Sequence, residues 1–131
     1  MEKVSFGKIA NVTKRNGWIF GHFQDDDRFK TDSFEFQFAT LEKGQRKIDE
    51  NGLPVLVKNK VSKTFTILLK GKLKIIFPKE SKEFILKEKW DFCYSQEGVS
   101  HTWEALDVCE VVSLRWSSIK GDQSLEFYQL K

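Results

Sequence analysis

The amino-acid sequence predicts one all-β domain that spans residues 1–131. Three observations support this prediction. Apolar and polar residues alternate in most segments, a period that places every second side chain on one face of a strand. Phe, Trp and Tyr make up 14% of the chain, and aromatic side chains suit the half-buried surface of a sheet. Turn-forming residues recur between these segments and separate about ten short strands, as in a sandwich or barrel.

The predicted strands follow one another at short intervals along the chain. The clearest run contains Phe34, Phe36 and Phe38, which alternate with polar residues and predict a strand whose Phe face is buried. One segment, 39–49, is a candidate helix, although its apolar residues are few and Gly44 interrupts it. In chain order, the predicted strands are 4–12, 17–23, 33–38, 64–69, 73–77, 83–86, 90–94, 101–106, 109–116 and 125–130.

Composition excludes several classes of protein. The 22 basic and 19 acidic residues are dispersed along the chain, whereas a nucleic-acid-binding protein concentrates its positive charge. No apolar run approaches the length of a membrane span, and residues 1–8 lack the apolar region of a signal peptide. Cys93 and Cys109 are not closely spaced, so we expect reduced core cysteines. The expectation is a soluble, cytoplasmic protein that binds neither nucleic acid nor membrane.

A motif near the C-terminal half carries a resemblance to a known family. Residues 98–101 read Gly-Val-Ser-His, which matches the G-x2-H part of the pattern P-x-G-x2-H-x3-N. Gln96 stands at the proline position and Ala105 at the asparagine position. On this motif, the segment 58–115 resembles the cupin family. The resemblance implies a cupin-type double-stranded β-helix, a jelly-roll barrel that holds a metal or ligand inside.

The other cupin motif, H-x-H-x3-E-x6-G, matches in spacing but not in residue type. When Gly71 is taken as its glycine, Lys58 and Lys60 stand at the two histidine positions and Thr64 at the glutamate position. These three positions share one parity, so they are expected on the same inward face of a strand.

This substitution argues against the metal that the family usually binds. The ammonium groups of Lys58 and Lys60 would repel a divalent cation, and Thr64 offers only a neutral hydroxyl. His101 is then the one remaining ligand, and His22 is the only other histidine in the chain. The sequence therefore predicts no metal site and no other cofactor.

Six residues are the candidates for a ligand site. His101 and Trp103 lie on one face of a predicted strand, where His101 is either a ligand-binding or proton-transferring group or a structural histidine. Lys58 and Lys60 would favour an anionic ligand if they face inward, and Arg115 would add a bidentate donor. The alternative is that the lysines protect an exposed edge strand. The candidate ligand-binding residues are Lys58, Lys60, Thr64, His101, Trp103 and Arg115.

Three functions remain open from the sequence. The first is a binding protein for a small anionic or sugar-like metabolite, without a complete metal site. The second, implied by the resemblance, is a metal-independent epimerase or isomerase acting on a nucleotide sugar, in which His101 would work with Glu35 or Tyr94. The third is a dimeric structural scaffold whose barrel is filled by its own side chains. The resemblance also implies a homodimer, because cupins often pair through their sheets.

Overall fold

The computed structural model describes residues 3–14 and 16–129, and in these residues the regular structure is almost entirely strand. Two single-turn 3-10 helices are present: Ile9–Asn11 precedes the first strand, and Pro78–Glu80 lies between two strands. The strands are β1 (Trp18–Phe20), β2 (Glu35–Leu41), β3 (Val55–Asn59), β4 (Lys63–Lys70), β5 (Leu73–Phe77), β6 (Lys82–Leu86), β7 (Phe92–Ser95), β8 (Thr102–Ala105), β9 (Cys109–Trp116) and β10 (Gln123–Phe127).

The strands form two layers with antiparallel pairing throughout. One layer is a five-stranded sheet in the order β1-β2-β9-β4-β7. The other layer contains the three-stranded sheet β6-β5-β8 and the pair β10-β3. An isolated bridge between Val57 and His101 connects this pair to the three-stranded sheet. Because the chain crosses repeatedly between the layers, the connectivity is that of a jelly roll. The all-β prediction is therefore confirmed.

The interior changes from apolar to polar along the strands. On β9, the inward residues run from Cys109 and Val111 at one end to Ser113 and Arg115 at the other. The apolar end holds the hydrophobic core, in which Leu68 and Cys109 are 0% exposed. The core residues are Leu41, Leu68, Leu73, Ile75, Phe77, Leu86, Ala105, Cys109 and Val111.

The polar end is defined by one row of paired residues that crosses the large sheet. Glu35 on β2 pairs with Arg115 on β9, and Arg115 pairs in turn with Thr64 on β4. Thr64 pairs with Ser95 on β7. Directly paired residues of antiparallel strands point to the same face, so these four side chains share the inner face of the sheet. This row of residues therefore marks the level at which the hydrophobic core ends and the polar site begins.

The outer face of the large sheet is apolar, which corrects one prediction. The inward residue of β2 is Glu35, only 2% exposed, whereas Phe36 and Phe38 are half-buried on the outer face. The prediction that the Phe face is the buried one is wrong, because aromatic side chains cover each other outside the barrel. Phe20 lies 6.4 Å from Phe36 and 5.2 Å from Phe34 between ring centroids.

Two other predicted elements differ from the structure. The segment 4–12 is not a strand: Val4 is 84% and Phe6 102% exposed, and only the 3-10 turn that begins at Ile9 is regular. The candidate helix 39–49 is absent, since β2 continues through Leu41 and the rest is turns and isolated bridges.

The remaining differences are one strand that was not predicted and the bounds of the last strand. β3 was not among the predicted strands, although the motif comparison placed Lys58 and Lys60 on one. The last strand is Gln123–Phe127 rather than 125–130, and residue 130 lies outside the described part of the chain. Among residues 3–14 and 16–129, no helix has the length and apolar character needed to cross a membrane.

Candidate functional site

A cavity of about 550 Å³ opens at the polar end of the interior. Its wall combines the ends of β2, β3 and β9 with the turn after β1 and the loop between β9 and β10. The buried or half-buried polar residues that line it are His22, Glu35, Asn59, Arg115 and Asp122, and the exposed ones are Lys120 and Gln123.

An ion pair between Glu35 and Arg115 forms one wall of this cavity. Arg115 Nη1 donates a hydrogen bond of 2.8 Å to Glu35 Oε1, and the two side chains are 17% and 3% exposed. The guanidinium carbon of Arg115 also lies 4.7 Å from the centroid of the Trp18 ring, a cation–π geometry. These contacts compensate for burying the carboxylate, and the pair contributes no net charge to the cavity.

Glu35 also joins a hydrogen-bonded cluster with Ser118 and His22. Ser118 Oγ donates to Glu35 Oε2 at 2.9 Å and accepts from the backbone N–H of His22 at 2.8 Å. His22 Nδ1 lies 2.7 Å from Ser118 Oγ and 3.3 Å from Glu35 Oε2. A catalytic triad needs serine and carboxylate on different imidazole nitrogens. Here both contact Nδ1, so the cluster is a positioning network and not a nucleophilic triad.

Asn59 is the buried amide of the site. Its side-chain nitrogen Nδ2 donates to Thr64 Oγ1 at 3.1 Å, and the residue is 4% exposed. Its oxygen Oδ1 is buried and accepts no hydrogen bond from any described residue. A buried acceptor without a donor costs about 1–3 kcal/mol, so native proteins rarely leave one unpaired without a reason.

Asp122 fixes the loop that closes the cavity. Its carboxylate accepts hydrogen bonds from the backbone N–H of Val61 at 2.8 Å and of Ser62 at 3.1 Å. Ser62 Oγ in turn donates to the Ser117 carbonyl at 2.6 Å. Burial acts to raise the pKa of Asp122, but the hydrogen bonds from Ser62 and Val61 outweigh it and lower the pKa below its usual value. The loop is thus held against the β3–β4 turn by an ionised carboxylate.

The structure does not bring Lys58 and Lys60 into the interior. The buried positions of β3 at this level are Val57 and Asn59, each 4% exposed. Lys58 is half-buried on the opposite parity, and Lys60 is exposed. The motif alignment was therefore displaced by one residue on this strand, and a displacement of one residue exchanges the two faces. Thr64, by contrast, does lie on the inner face, where it contacts Asn59.

His101 and Trp103 lie in the second layer and do not line this cavity. His101 is half-buried, its Nδ1 lies 3.2 Å from the Val99 carbonyl, and its ring centroid lies 5.8 Å from that of Phe77. Burial lowers the pKa of His101, so the neutral imidazole is favoured. Trp103 packs against the hydrophobic core and pairs with Ile75.

The acid–base set considered from the sequence, His101 with Glu35 or Tyr94, is not joined by hydrogen bonds among the described residues. Tyr94 is 43% exposed and stacks on Trp116 at 6.3 Å between ring centroids. Tyr94 pairs with Phe65, on the face of the sheet opposite to Glu35. His101 and Glu35 are on different layers, and Glu35 is already engaged by Arg115.

The residues present do not fit the metal that cupins usually hold. The inward side chains around the expected position are Val57, Asn59, Thr64 and His101, which supply one imidazole, neutral oxygens and an aliphatic group. In the described part of the chain, no three His, Cys, Asp or Glu side chains are placed to bind a metal ion. A divalent cation needs more basic or anionic ligands than this set provides.

Sequence reasoning missed part of the site. Ser118 and Asp122 follow a predicted strand without any motif, and His22 entered only as a potential metal ligand. Asn59 could have been found, because lengthening the distance to the motif glycine by one residue moves the paired positions from Lys58 and Lys60 to Val57 and Asn59. Arg115 is the one candidate ligand-binding residue that lines the cavity, and Glu35, considered from the sequence only as a partner of His101, lines it as well.

Comparisons with solved structures agree with this topology. An uncharacterized conserved protein with a double-stranded β-helix domain from Klebsiella pneumoniae subsp. pneumoniae MGH 78578 is 10% identical, with 96% of this chain and 100% of that chain covered and a TM-score of 0.66. Ectoine synthase from P. lautus is 8% identical, with 98% and 94% covered and a TM-score of 0.63. KdgF from Halomonas sp. is 12% identical, with 69% and 74% covered and a TM-score of 0.56.

At these identities the likeness shows the fold and no more. No family model matches the chain, and no curated protein matches it. The arrangement of buried polar groups described above therefore has to be interpreted on its own chemistry.

Proposed function

We propose that this chain, which has the cupin-type double-stranded β-helix fold, binds a small, neutral, hydroxyl-rich molecule such as a sugar in its polar cavity, without a metal ion. The observation that carries the proposal is the buried Asn59 Oδ1, an acceptor that lacks a donor among the described residues and belongs to a residue that lines the cavity. A ligand hydroxyl would supply that donor and remove the cost of the unpaired oxygen.

The buried groups of the cavity favour a ligand that donates hydrogen bonds over an anionic ligand. Besides Asn59 Oδ1, the carboxylates of Glu35 and Asp122 are acceptors, and they are 2% and 7% exposed. A ligand carboxylate or phosphate in the same space would meet these oxygens at close range. Arg115 is engaged by Glu35, and Lys120 is exposed. The anionic ligand suggested by the sequence depended on Lys58 and Lys60, which do not line the cavity.

An aromatic ring completes the case for a sugar. Phe23 lines the cavity next to His22, with 5.7 Å between the two ring centroids. The C–H face of a sugar ring packs well on an aromatic side chain while its hydroxyl groups reach polar atoms, as in pockets that combine an apolar wall with a few oriented polar groups.

The other two functions considered from the sequence have less support. The epimerase alternative required His101 with Glu35 or Tyr94, and no hydrogen bond joins His101 to either of them among the described residues. The scaffold alternative required a filled barrel, whereas a cavity of about 550 Å³ remains at the polar end.

The experiment compares ligand-induced thermal stabilisation of the wild type and of Asn59→Leu. Leu has a similar volume but no acceptor. A panel of neutral sugars and polyols is matched with the corresponding sugar acids, and each is tested with and without a chelator. Ligand at a hundredfold excess over its dissociation constant stabilises a folded protein by about 2.7 kcal/mol. We expect stabilisation of the wild type by at least one neutral compound, unchanged by chelation and absent in Asn59→Leu.

The matched control is Asn51→Leu in the exposed turn between Asp49 and Leu53, which should respond as the wild type does. Three results would overturn the proposal: no neutral compound stabilises the wild type, sugar acids alone do so, or the stabilisation disappears with the chelator.

A further inference from the structure

The hydrogen-bonded cluster at the cavity determines which nitrogen of the His22 ring carries a proton. Glu35 accepts a hydrogen bond from Arg115 in an ion pair, so its carboxylate is ionised and can only accept. The single hydroxyl proton of Ser118 is therefore donated to Glu35 Oε2, at 2.9 Å. His22 Nδ1 lies 2.7 Å from Ser118 Oγ and must then be the donor in that contact. Its second contact, 3.3 Å to Glu35 Oε2, requires the same proton.

The proton on Nδ1 leaves the other ring nitrogen, Nε2, with a lone pair in the neutral imidazole. Nε2 has no hydrogen-bond partner among residues 3–14 and 16–129, and it belongs to a residue that lines the polar cavity. The His22 side chain is 21% exposed, so part of the ring remains accessible. An imidazole that a carboxylate orients in this way is suited to accept a proton from a bound molecule.

The acceptors around this base argue against removal of a proton from carbon. Such a step next to a carbonyl group creates an enolate, whose negative oxygen needs hydrogen-bond donors. The buried polar groups of the cavity include the Glu35 and Asp122 carboxylates and Asn59 Oδ1, which are all acceptors. They would repel the enolate as they would repel any other anion.

The carboxylates are also poorly placed for glycoside hydrolysis. That reaction needs one carboxyl group that donates a proton and another that attacks the sugar or activates water. Glu35 is engaged by Arg115 and Ser118, and Asp122 accepts hydrogen bonds from two backbone N–H groups. Proton transfer between the oxygen atoms of a neutral sugar has neither requirement, because it needs only a base that faces a hydroxyl group.

We propose that the cavity catalyses the interconversion of the α and β anomers of a reducing sugar, with His22 Nε2 as the general base. This inference rests on the proposed binding of a neutral sugar, and it specifies a substrate with a free anomeric hydroxyl. A nucleotide sugar, whose anomeric oxygen is substituted, is not a substrate of this reaction.

The reaction needs no oxidant or reductant. Nε2 removes the proton of the anomeric hydroxyl, the carbonyl double bond forms at the anomeric carbon, and the bond from that carbon to the ring oxygen breaks. Water protonates the ring oxygen, and the imidazolium returns its proton to the hydroxide that remains. Rotation of the aldehyde group and the reverse steps close the ring as the other anomer.

The other members of the cluster have positioning roles. The imidazolium formed in the first step is stabilised by the Glu35 carboxylate, which lies 3.3 Å from Nδ1. Ser118 Oγ accepts hydrogen bonds from the backbone N–H and from the ring Nδ1–H of His22, so the backbone and the ring are fixed together. Asn59 Oδ1 would accept a hydrogen bond from a second hydroxyl of the sugar and thereby orient it.

Exchange spectroscopy by nuclear magnetic resonance tests the proposal with the full chain and glucose, galactose, mannose and xylose. The variant His22→Gln keeps a polar side chain but lacks a basic nitrogen. General base catalysis contributes about a hundredfold to ten-thousandfold to a rate. At about pH 7.5, where an ordinary histidine is neutral, the wild type should therefore interconvert the anomers of at least one sugar about a hundredfold faster than buffer does. His22→Gln should lose this acceleration.

The matched control is His101→Gln, which changes the other histidine of the chain. His101 does not line the cavity, so this variant should keep the wild-type exchange rate. Far-ultraviolet circular dichroism verifies that each variant is folded, and His22→Asn is a second variant without a basic nitrogen, with the same expected loss. Exchange that persists in folded His22→Gln or His22→Asn, or that disappears equally in His101→Gln, overturns the assignment of the base.

Thermal stabilisation by the same sugars separates catalysis from binding. A sugar that stabilises the wild type while its anomers interconvert no faster than in buffer overturns the catalytic inference and leaves the proposed binding intact. If no neutral sugar stabilises the wild type, the proposed function and this inference both fail. Methyl glycosides, in which the anomeric oxygen is blocked, should still stabilise the protein without any exchange of their anomers.

Discussion

Arg115 and Glu35 face each other across β9 and β2, and a 2.8 Å hydrogen bond joins Arg115 Nη1 to Glu35 Oε1 inside the barrel. Their position at the polar end makes this pair the boundary between the hydrophobic core and the cavity. The pair allows a carboxylate that is 2% exposed to remain in the interior. Removing one partner should therefore lower the free energy of unfolding of the whole domain.

Arg115→Met should destabilise the protein by about 3–5 kcal/mol, because it leaves the Glu35 carboxylate buried without its positive partner. Urea unfolding at neutral pH measures the change. The double variant Arg115→Met with Glu35→Leu should be more stable than Arg115→Met alone, since it removes the uncompensated charge. Destabilisations of the two single changes that simply add in the double variant would show that the pair is not coupled.

The stability of the protein should fall as the pH drops below about 6.5, the usual pKa of histidine, partly through His101. Burial lowers the pKa of His101 in the folded state, so the unfolded chain takes up a proton that the folded one does not. The stability that depends on His101 is fully present above the pKa that this histidine has in the unfolded chain. It is lost as the pH falls towards the lower pKa that it has in the folded protein.

The measurement compares urea unfolding of the wild type and His101→Gln at about pH 7.5 and about pH 5.5, on either side of the histidine range. His22 and the carboxyl groups are common to both proteins, so the difference isolates His101. The wild type should lose more stability than the variant between the two pH values. An equal loss, or a larger loss in the variant, contradicts the neutral buried imidazole.

Both cysteines should be unreactive in the folded protein. Burial raises the pKa of Cys93 to about 11, and burial together with the Asp107 carboxylate raises the pKa of Cys109. Because the thiolate is the reactive form, alkylation by iodoacetamide at about pH 8 should be at least about tenfold slower than in urea-unfolded protein. Intact mass counts the modified thiols. Rapid single modification of the folded chain would contradict the burial of Cys93.

Gly71→Ala should be more destabilising than Gly52→Ala, although both glycines have positive φ angles, +93° and +81°. A Cβ at Gly71 would overlap the Val108 carbonyl oxygen and the Cys109 backbone, whereas nothing lies within 4 Å of a Cβ at Gly52. We expect about 1–2 kcal/mol for Gly52→Ala from backbone strain alone.

Overlap at Gly71 should add about 1–3 kcal/mol, because β4 and β9 must separate to admit the methyl group. Urea unfolding of the two variants measures the difference. Equal destabilisation would mean that the turn after β4 relaxes freely, and would contradict the close approach to Val108.

Much of the strand pattern could be predicted locally. The alternation around Phe36, around Ile67 and around Val112 predicts β2, β4 and β9, because a period of two reflects the geometry of the strand itself. The segment around Phe6 shows the limit of the method. Its apolar residues suggest a strand, but they find no partner strand among the described residues and remain exposed.

The site could be predicted only in part. Gly98 to His101 indicated the fold. Of the predicted ligand-binding residues, Arg115 lines the cavity, whereas Thr64 pairs with Arg115 on the same inner face without lining it. Asn59 and Ser118 were missed, because they reach the cavity through strand register and loop closure rather than through any local motif.

By itself, the sequence determined the all-β class, the positions of most strands and the limit of two histidines for any imidazole-based metal site. Tertiary structure decided which face of each strand points inward. It placed Glu35 inside and Phe36 outside. On β3 the inward residue is Asn59, whereas the sequence had predicted Lys58. Alternation is a property of one strand, whereas the choice of buried face depends on the layer that packs against it, and a shift of one residue reverses that choice.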